Sequence, residues 1–141
     1  MLLTKECDYG IRIIRALADG IKKTMSEICQ TEYVPEQYAY KILKKLEHAG
    51  LLSILRGRDG GYLLAKPLNT ITLLDIITAV DDNLYIFECL KDDSNCPFKV
   101  SDGPCVIHKK FCQLQKQLFD GLKQNTIAEM FLEAGGSPVK P

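Results

Sequence analysis

The segment from Thr24 to Leu64 constrains the fold more than any other part of this 141-residue chain. Its signals follow one another at short distances: a helix start, a turn, a longer helix that ends at a glycine, and a glycine-rich hairpin. Thr24 and Glu27 have the spacing of a capping box, in which a hydroxyl and a carboxylate satisfy free backbone N–H groups. We therefore predict a short helix that begins after Thr24 and ends near Gln30.

A four-residue turn and a longer helix follow. Pro35 suits the first helical position because the N–H that it lacks is not needed there. Gly50 suits the residue after the last turn. Apolar residues between them recur at helical spacing, which indicates one buried face: Ala39, Ile42, Leu43, Leu46 and Ala49. This order of elements is typical of a helix-turn-helix.

A hairpin is predicted directly after this helix. Leu51 to Leu55 is expected to form one strand and Tyr62 to Leu64 the other. The loop between them contains three glycines, which tolerate the positive φ that a tight hairpin needs. Arg56 and Arg58 lie at its tip, so that the hairpin is a candidate DNA-binding wing.

Further helices are expected on both sides of this segment. Thr4 can cap a first helix that Gly20 ends, Thr72 and Asp75 open a fourth, and Thr126 can cap a last one. A long helix at 106–124 has apolar residues at near-heptad spacing: Phe111, Leu114, Leu118 and Leu122. Such a stripe needs a partner surface, and a two-fold dimer is the commonest solution.

The predicted fold class is therefore mainly α with a small β-hairpin wing, a winged helix-turn-helix plus a long dimerisation helix. We expect a DNA-binding domain at 1–80, a Cys-rich loop at 81–105, and the dimerisation and C-terminal helices at 106–134. The tail at 135–141 is expected to be disordered. Residues 1–66 carry 11 Lys and Arg against 8 Asp and Glu, and residues 67–141 carry 7 against 10. A net charge of +3 on the first part permits DNA contact without demonstrating it.

Three cysteines and a histidine in the predicted loop form a candidate metal site, spaced Cys89-x6-Cys96-x8-Cys105-x2-His108. Soft ligands on a loop favour a transition metal or an iron–sulfur cluster. Zinc usually binds through a Cys-x2-4-Cys pair, which this loop lacks. An iron–sulfur cluster is therefore favoured, with zinc or no metal as alternatives.

The expected cellular compartment also favours the predicted metal site. Charged residues interrupt the N-terminus before an apolar stretch can form, so that no signal peptide or membrane span is expected. A cytoplasmic location follows, where thiols stay reduced, and six cysteines then favour metal binding or redox sensing over disulfides.

The remaining cysteines have weaker assignments. Cys29 completes an apolar stripe and is expected to be buried. Cys7 or Asp8 could approach a partner subunit's metal loop, although a solvated N-terminal turn is the default for both. Cys112, one turn beyond His108, could be a ligand, a redox partner or a core thiol facing the dimer seam, and we expect core packing.

Candidate DNA contacts lie on the third helix and the wing. Gln can pair with adenine, Lys can donate to guanine and Tyr can reach phosphate, while wing arginines can enter a narrow minor groove. The eight candidates are Glu36, Gln37, Tyr38, Tyr40, Lys41, Lys44, Arg56 and Arg58. No nucleophile motif or phosphate loop accompanies them, so no enzyme is expected. The alternatives are a thiol-redox or zinc-dependent regulator, and a protein-interaction module without a cluster.

Four stretches of the chain resemble the Rrf2 family of winged-helix bacterial regulators, from about residue 2 to residue 132. They are Leu3-Thr4-Lys5-x-x-Asp8-Tyr9-Gly10, Tyr38-x-x-Lys41-Ile42-Leu43-x-x-Leu46, Arg56-Gly57-x-x-Gly60-Gly61-Tyr62-Leu63-Leu64 and Ile71-Thr72-Leu73-Leu74-Asp75-Ile76-Ile77-x-Ala79-Val80-Asp81. The resemblance implies a homodimer that binds a roughly palindromic promoter site in double-stranded DNA.

The resemblance also implies roles for the loop. In cluster-bearing members three loop cysteines ligate iron, a role that transfers by position to Cys89, Cys96 and Cys105. His108 matches the fourth ligand of 2Fe–2S members, and Asp8 matches the partner-subunit ligand of 4Fe–4S members. Two features depart from the pattern, since the loop spacings are longer than usual and Tyr40 replaces a glutamate of the recognition helix.

Overall fold

The computed structural model of the protein describes residues 3–99 and 105–133. Its elements are α1 (Lys5–Ala16), α2 (Met25–Glu32), α3 (Glu36–His48), β1 (Leu52–Leu55), β2 (Gly61–Leu64), α4 (Leu73–Val80), α5 (Val106–Gln124) and α6 (Ile127–Glu133). Short 3₁₀ segments lie at Leu68–Thr70, Glu88–Leu90 and Pro97–Lys99. The predicted fold class, mainly α with a small β-hairpin wing, is confirmed. The predicted tail at 135–141 lies outside the described residues.

Local capping interactions start the helices where the sequence predicts them. The Thr4 hydroxyl accepts a hydrogen bond from the backbone N–H of Cys7. Two reciprocal capping boxes open α2 and α4, and Thr126 exchanges the same pair of hydrogen bonds with the third residue of α6. Each interaction spans only three residues, and therefore the sequence alone predicts it well.

Several predicted helix ends are wrong by a few residues. α1 ends at Ala16 rather than near Gly20. α2 continues beyond Gln30 to Glu32, where Tyr33 adopts a left-handed conformation with φ of 55°. The residue before α3 is Pro35, which lies outside the helix rather than at its first position. Because α2 continues to Glu32, the turn of the helix-turn-helix is shorter than predicted, even though it includes Pro35.

The core lies where α1, α3 and α4 pack against one another. Four predicted residues of the α3 stripe are buried, but Ala49 is exposed because it lies just beyond the helix end. A close approach of two helices depends on Gly10, since a Cβ at this position would lie 2.8 Å from the Cγ2 of Val80. The glycine therefore lets α1 lie directly against α4, the helix that leads into the Cys-rich loop.

The wing is a two-stranded antiparallel hairpin in which Leu52 pairs with Leu64 and Leu55 with Gly61. A Cβ on Gly60 would lie 2.4 Å from the carbonyl oxygen of Leu55, so that only glycine fits there. The backbone of Tyr62 also exchanges two hydrogen bonds with Lys23, of 2.8 and 3.1 Å. This bridge joins the wing to the segment before α2.

α5 differs from the other long helices because none of its 19 residues is buried within the chain. Its described contacts lie on one side, where Phe111 stacks on Phe87 at 4.2 Å between ring centroids and Gln115 accepts a hydrogen bond from the backbone of Ile86. α6 returns to the core through the buried Ile127. Among the helices of the two described ranges, none combines the length and apolar character that a membrane span requires.

Candidate functional site

The polar face of α3 presents the predicted DNA contacts to solvent. The six candidates of this helix are all exposed, although to different degrees: Glu36, Gln37, Tyr38, Tyr40, Lys41 and Lys44. Tyr38 is 39% exposed because its ring packs on the buried Tyr9 of α1, with centroids 5.6 Å apart. Tyr38 therefore also fixes the start of α3 against α1.

The lysines of α3 fall into two environments. The Nζ of Lys41 lies 3.0 Å from one carboxylate oxygen of Glu6, and the Nζ of Lys45 lies 3.4 Å from the other. The hydrogen bond from Lys41, aided by Lys45, holds the pKa of Glu6 below its usual value. Lys44 instead lies over the ring of Tyr40, with its Nζ 5.2 Å from the centroid.

The wing places its two arginines on the outer side of the hairpin. Arg56 and Arg58 are both exposed, and the Nζ of Lys22 donates a hydrogen bond to the carbonyl of Asp59 between the strands. The hairpin is thus tied to the α1–α2 segment at its tip and along β2. This support holds the wing on the domain while its guanidinium groups remain available.

An arginine–glutamate brace between α1 and α2 was not predicted from the sequence. Glu32 is 6% exposed, and the Nε of Arg15 donates to both of its carboxylate oxygens, at 3.1 and 3.0 Å. Arg12 donates to the backbone carbonyl of Glu32 at 3.2 Å. The hydrogen bonds that Arg15 donates to Glu32 raise the pKa of Arg15 above its usual value. The sequence signal for this brace was the presence of two arginines, Arg12 and Arg15, three residues apart on α1.

Asp8 and Cys7 have different surroundings although they are neighbours. Asp8 is half-exposed and forms an ion pair with Arg12 at 3.1 Å. Cys7 is 1% exposed, so that the expectation of a solvated turn is wrong for this thiol. The reason is that α1 already begins at Lys5, and Cys7 lies on its inward face. Of these two side chains, only Asp8 is accessible to a partner.

The loop cysteines lie on partly exposed surfaces. Cys89 and Cys96 line one cleft of about 380 Å³, and Cys105 directly precedes α5. All three side chains are half-buried and free of disulfides. Within residues 3–99 and 105–133, no three His, Cys, Asp or Glu side chains converge on a metal-sized position. The structure therefore brings two of the predicted ligands to one cleft and does not assemble the whole predicted set.

One ring nitrogen of His108 lacks a partner among the residues that the structure describes. Its Nδ1 is buried and has no hydrogen-bond partner in the described part of the chain, whereas its Nε2 lies 3.4 Å from the Sγ of Cys112. A buried polar atom without a partner is destabilising unless a group outside the protein chain binds it. The donor chemistry of this imidazole and the loop thiols therefore fits a soft metal centre.

The other cysteines behave differently from one another. Cys29 is buried, as predicted, and burial followed by the nearby Glu36 raises the pKa of its thiol. Cys112 is exposed, and the expected core packing is therefore absent within a single chain.

Comparisons with known proteins agree with this architecture. The family model Rrf2, described as "Iron-dependent Transcriptional regulator", matches residues 3–133. Protein aau3 of Rhizobium meliloti (strain 1021) is 33% identical, over all of this chain and 97% of that protein. The solved structure of T. potens IscR is similar with a TM-score of 0.72 and 23% identity, covering 95% of this chain and 88% of that one.

CymR (YrzC), named the global cysteine regulator of B. subtilis, also has a TM-score of 0.72, with 24% identity and coverage of 97% and 99%. At these identities the two solved structures support the winged-helix fold alone. The family model, which matches residues 3–133, supports membership of the family as well as the fold. The chain therefore belongs to the Rrf2 family of transcriptional regulators, and it is a DNA-binding protein rather than an enzyme.

Proposed function

We propose that the protein is a homodimeric regulator that binds promoter DNA in the cytoplasm and senses redox state, NO or iron supply through an iron–sulfur cluster. Cys89, Cys96 and Cys105 would hold the cluster, with His108 or the partner subunit's Asp8 as the fourth ligand. The observation that carries the proposal is the buried Nδ1 of His108, which lacks a hydrogen-bond partner in the described residues. A cleft lined by two of the thiols supports it.

The DNA-binding part of the proposal assigns the surface formed by α3 and the wing, within residues 1–80. α3 would enter a major groove through Gln37, Tyr40, Lys41 and Lys44, and Arg56 and Arg58 would reach the adjacent minor groove. Glu36 and Tyr38 lie at the start of α3, where they would orient this helix against the sugar–phosphate backbone of the DNA. Exposure of all eight side chains supports this assignment.

The dimer part of the proposal assigns α5, at 106–124. Val106 and Ile107 are 80% and 61% exposed, and Leu114 is 40% exposed, in a helix without a buried residue. Exposed apolar side chains along a helix are stabilised when a second helix covers them. A second copy of α5 related by a two-fold axis would also place two α3 helices on one duplex.

Coupling between the loop and DNA would pass through α4. This helix ends at Val80, directly before the loop, and it packs against both α1 and α3. The Nζ of Lys45 on α3 donates a hydrogen bond of 2.5 Å to the Val80 carbonyl. A bound cluster supplies a group whose oxidation state or loss changes how the loop is held. Movement at Val80 would then alter the position of α3.

A second candidate is a thiol-based or zinc-dependent regulator with the same DNA surface. The exposed Cys112, 3.4 Å from His108, favours it, because an accessible thiol can be oxidised directly. A zinc or thiol sensor is colourless, whereas an iron–sulfur cluster absorbs visible light. A visible absorption spectrum of the purified protein therefore distinguishes the two candidates.

The test is anaerobic purification followed by visible spectroscopy and analysis of iron and sulfide. We expect a visible absorption band with stoichiometric iron and sulfide in the wild type, and loss of both in Cys89→Ala. Cys29→Ala is the matched control, because it removes a thiol outside the loop. His108→Ala and Asp8→Ala would distinguish the two fourth ligands. A protein that stays colourless and iron-free after anaerobic reconstitution would contradict the cluster and leave the second candidate.

DNA binding is tested separately by selecting sites from a randomised duplex library. We expect an inverted repeat whose half-sites are about one helical turn apart, because two α3 helices would enter successive major grooves on one face. Removal of the cluster should change the affinity for the selected site. Recovery of no preferred sequence by either form would contradict the proposed promoter recognition, and a protein-interaction module would then be favoured.

A further inference from the structure

A single carboxylate of α1 lies between two lysines of α3. The two oxygens of Glu6 contact the Nζ atoms of Lys41 and Lys45, at 3.0 and 3.4 Å. Glu6 keeps only 27% of its side chain exposed. An acidic group is thus held against the same helix face that is proposed to contact DNA.

The two lysines differ in their freedom to leave this contact. Lys45 is also bound to the Val80 carbonyl and is 33% exposed, so that it stays with the protein and fixes Glu6. Lys41 is 59% exposed, and among the described residues Glu6 is its acidic partner. An ammonium at this exposure can exchange one anion for another at little cost.

We propose that Glu6 acts as an internal competitor of DNA phosphate for Lys41 and thereby limits non-specific DNA binding. The inference rests on the proposed DNA-binding role of the α3 polar face. Non-specific affinity comes almost entirely from contacts between cations and phosphates. A lysine that must first release a carboxylate contributes less to this affinity, whereas the exchange does not involve the proposed groove contacts of Gln37, Arg56 and Arg58. Glu6 is therefore assigned as a specificity-determining residue.

Lys44 provides a matched comparison on the same helix. It is exposed like Lys41, but its ammonium lies over the ring of Tyr40 rather than beside a carboxylate. Its contact with DNA should therefore not depend on Glu6. The pair separates a specific competition at Lys41 from a general repulsion between Glu6 and DNA.

The experiment measures binding of the full chain to a labelled mixed-sequence duplex by fluorescence anisotropy at several salt concentrations. We expect Glu6→Gln to tighten binding about two- to fivefold at low salt, the range of an exposed ion pair. The slope of log affinity against log salt should steepen by about 0.9, corresponding to one added phosphate contact. Glu133→Gln, which changes the net charge equally at the end of α6, should alter neither quantity.

Double variants decide the mechanism. The gain from Glu6→Gln should vanish when Lys41 is replaced by Ala and persist when Lys44 is replaced by Ala. An equal gain in the Lys41→Ala background, or no change of affinity and slope in Glu6→Gln, would overturn the inference. Failure of the wild type to bind any duplex would instead contradict the proposed function. Far-ultraviolet circular dichroism verifies folding, and Glu6→Ser removes the same carboxylate if Glu6→Gln does not fold.

Discussion

The two halves of the molecule are stabilised in different ways. In residues 5–80, α1, α3 and α4 enclose a shared apolar core, and the wing is tied to the same body by backbone hydrogen bonds. In residues 81–133, α5 has no buried residue, and the cysteines lie on half-buried or exposed surfaces. The first half therefore builds a continuous apolar core within one chain, whereas α5 keeps Val106, Ile107 and Leu114 exposed.

This difference indicates where function depends on additional components. A helix with an exposed apolar stripe is completed by a second copy, and a set of soft ligands is completed by a metal. Under the proposed function, the binding energy of both events would be available to move the loop and α5. The proposed function therefore places signal sensing in residues 81–133 and DNA recognition in residues 5–80.

The largest effect that separates the halves should come from two leucine substitutions. Leu43 is fully buried in α3 and Leu114 is 40% exposed in α5. Leu43→Ala should lower the free energy of unfolding by about 2–5 kcal/mol, because it removes buried methyl groups and leaves a cavity. Leu114→Ala should leave the unfolding of the monomer nearly unchanged and weaken the dimer. Urea unfolding at low protein concentration and sedimentation analysis measure the two effects.

The comparison would fail if both substitutions destabilised the monomer equally. In that case α5 would contribute to the core of its own chain, and the apolar stripe would not indicate a second copy. Wild-type protein at the same dilution gives the reference midpoint. If Leu43→Ala lost the dimer while Leu114→Ala kept it, Leu114 would likewise not indicate a second copy.

A smaller loss of stability is expected from the brace between α1 and α2. Glu32→Ala should lower the free energy of unfolding by about 1–3 kcal/mol, because it removes the buried carboxylate that accepts hydrogen bonds from Arg15. Glu47→Ala, which removes an exposed carboxylate of α3, should change it by less than about 0.5 kcal/mol. Thermal unfolding of both variants is the measurement. Equal melting temperatures would show that the brace contributes nothing.

The sequence predicted best those features that arise within a few residues. The box of Thr24 and Glu27 and the stop at Gly50 depend on neighbours only, and the α3 stripe depends on helical spacing. It did not predict contacts made by tertiary packing, such as Arg15 with Glu32, which are 17 residues apart. The burial of Cys7 was missed for the same reason.

The candidate site was less predictable than the fold. Exposure of the α3 and wing side chains follows from the amphipathic pattern and the hairpin. The loop from 81 to 105 has no periodicity, so its residue types indicated a metal without indicating a geometry. Cys112 is exposed in the single chain, and its expected packing at a dimer seam stays a prediction.

On the DNA-binding half, Arg56 should matter more than an equally charged neighbour. Arg56→Ala should weaken binding to the selected site by about tenfold, because the wing guanidinium is proposed to lie in a narrow minor groove. Lys66→Ala removes one positive charge just beyond β2 and should have less effect. Anisotropy titrations at one salt concentration compare the two. Equal losses would assign the wing only a general electrostatic role.

The smallest expected effect lies on the second half, at Cys112. Its Sγ contacts the Nε2 of His108, and a partner at one ring nitrogen orients the other toward a metal. We expect Cys112→Ala to retain iron after anaerobic purification but to lose it to a chelator up to about tenfold faster, as for the loss of an outer-shell contact. Gln113→Ala, one residue along α5 and also exposed, should leave this rate unchanged. Complete absence of iron in Cys112→Ala would make the thiol a ligand, whereas rates equal to wild type would remove any role in orienting His108.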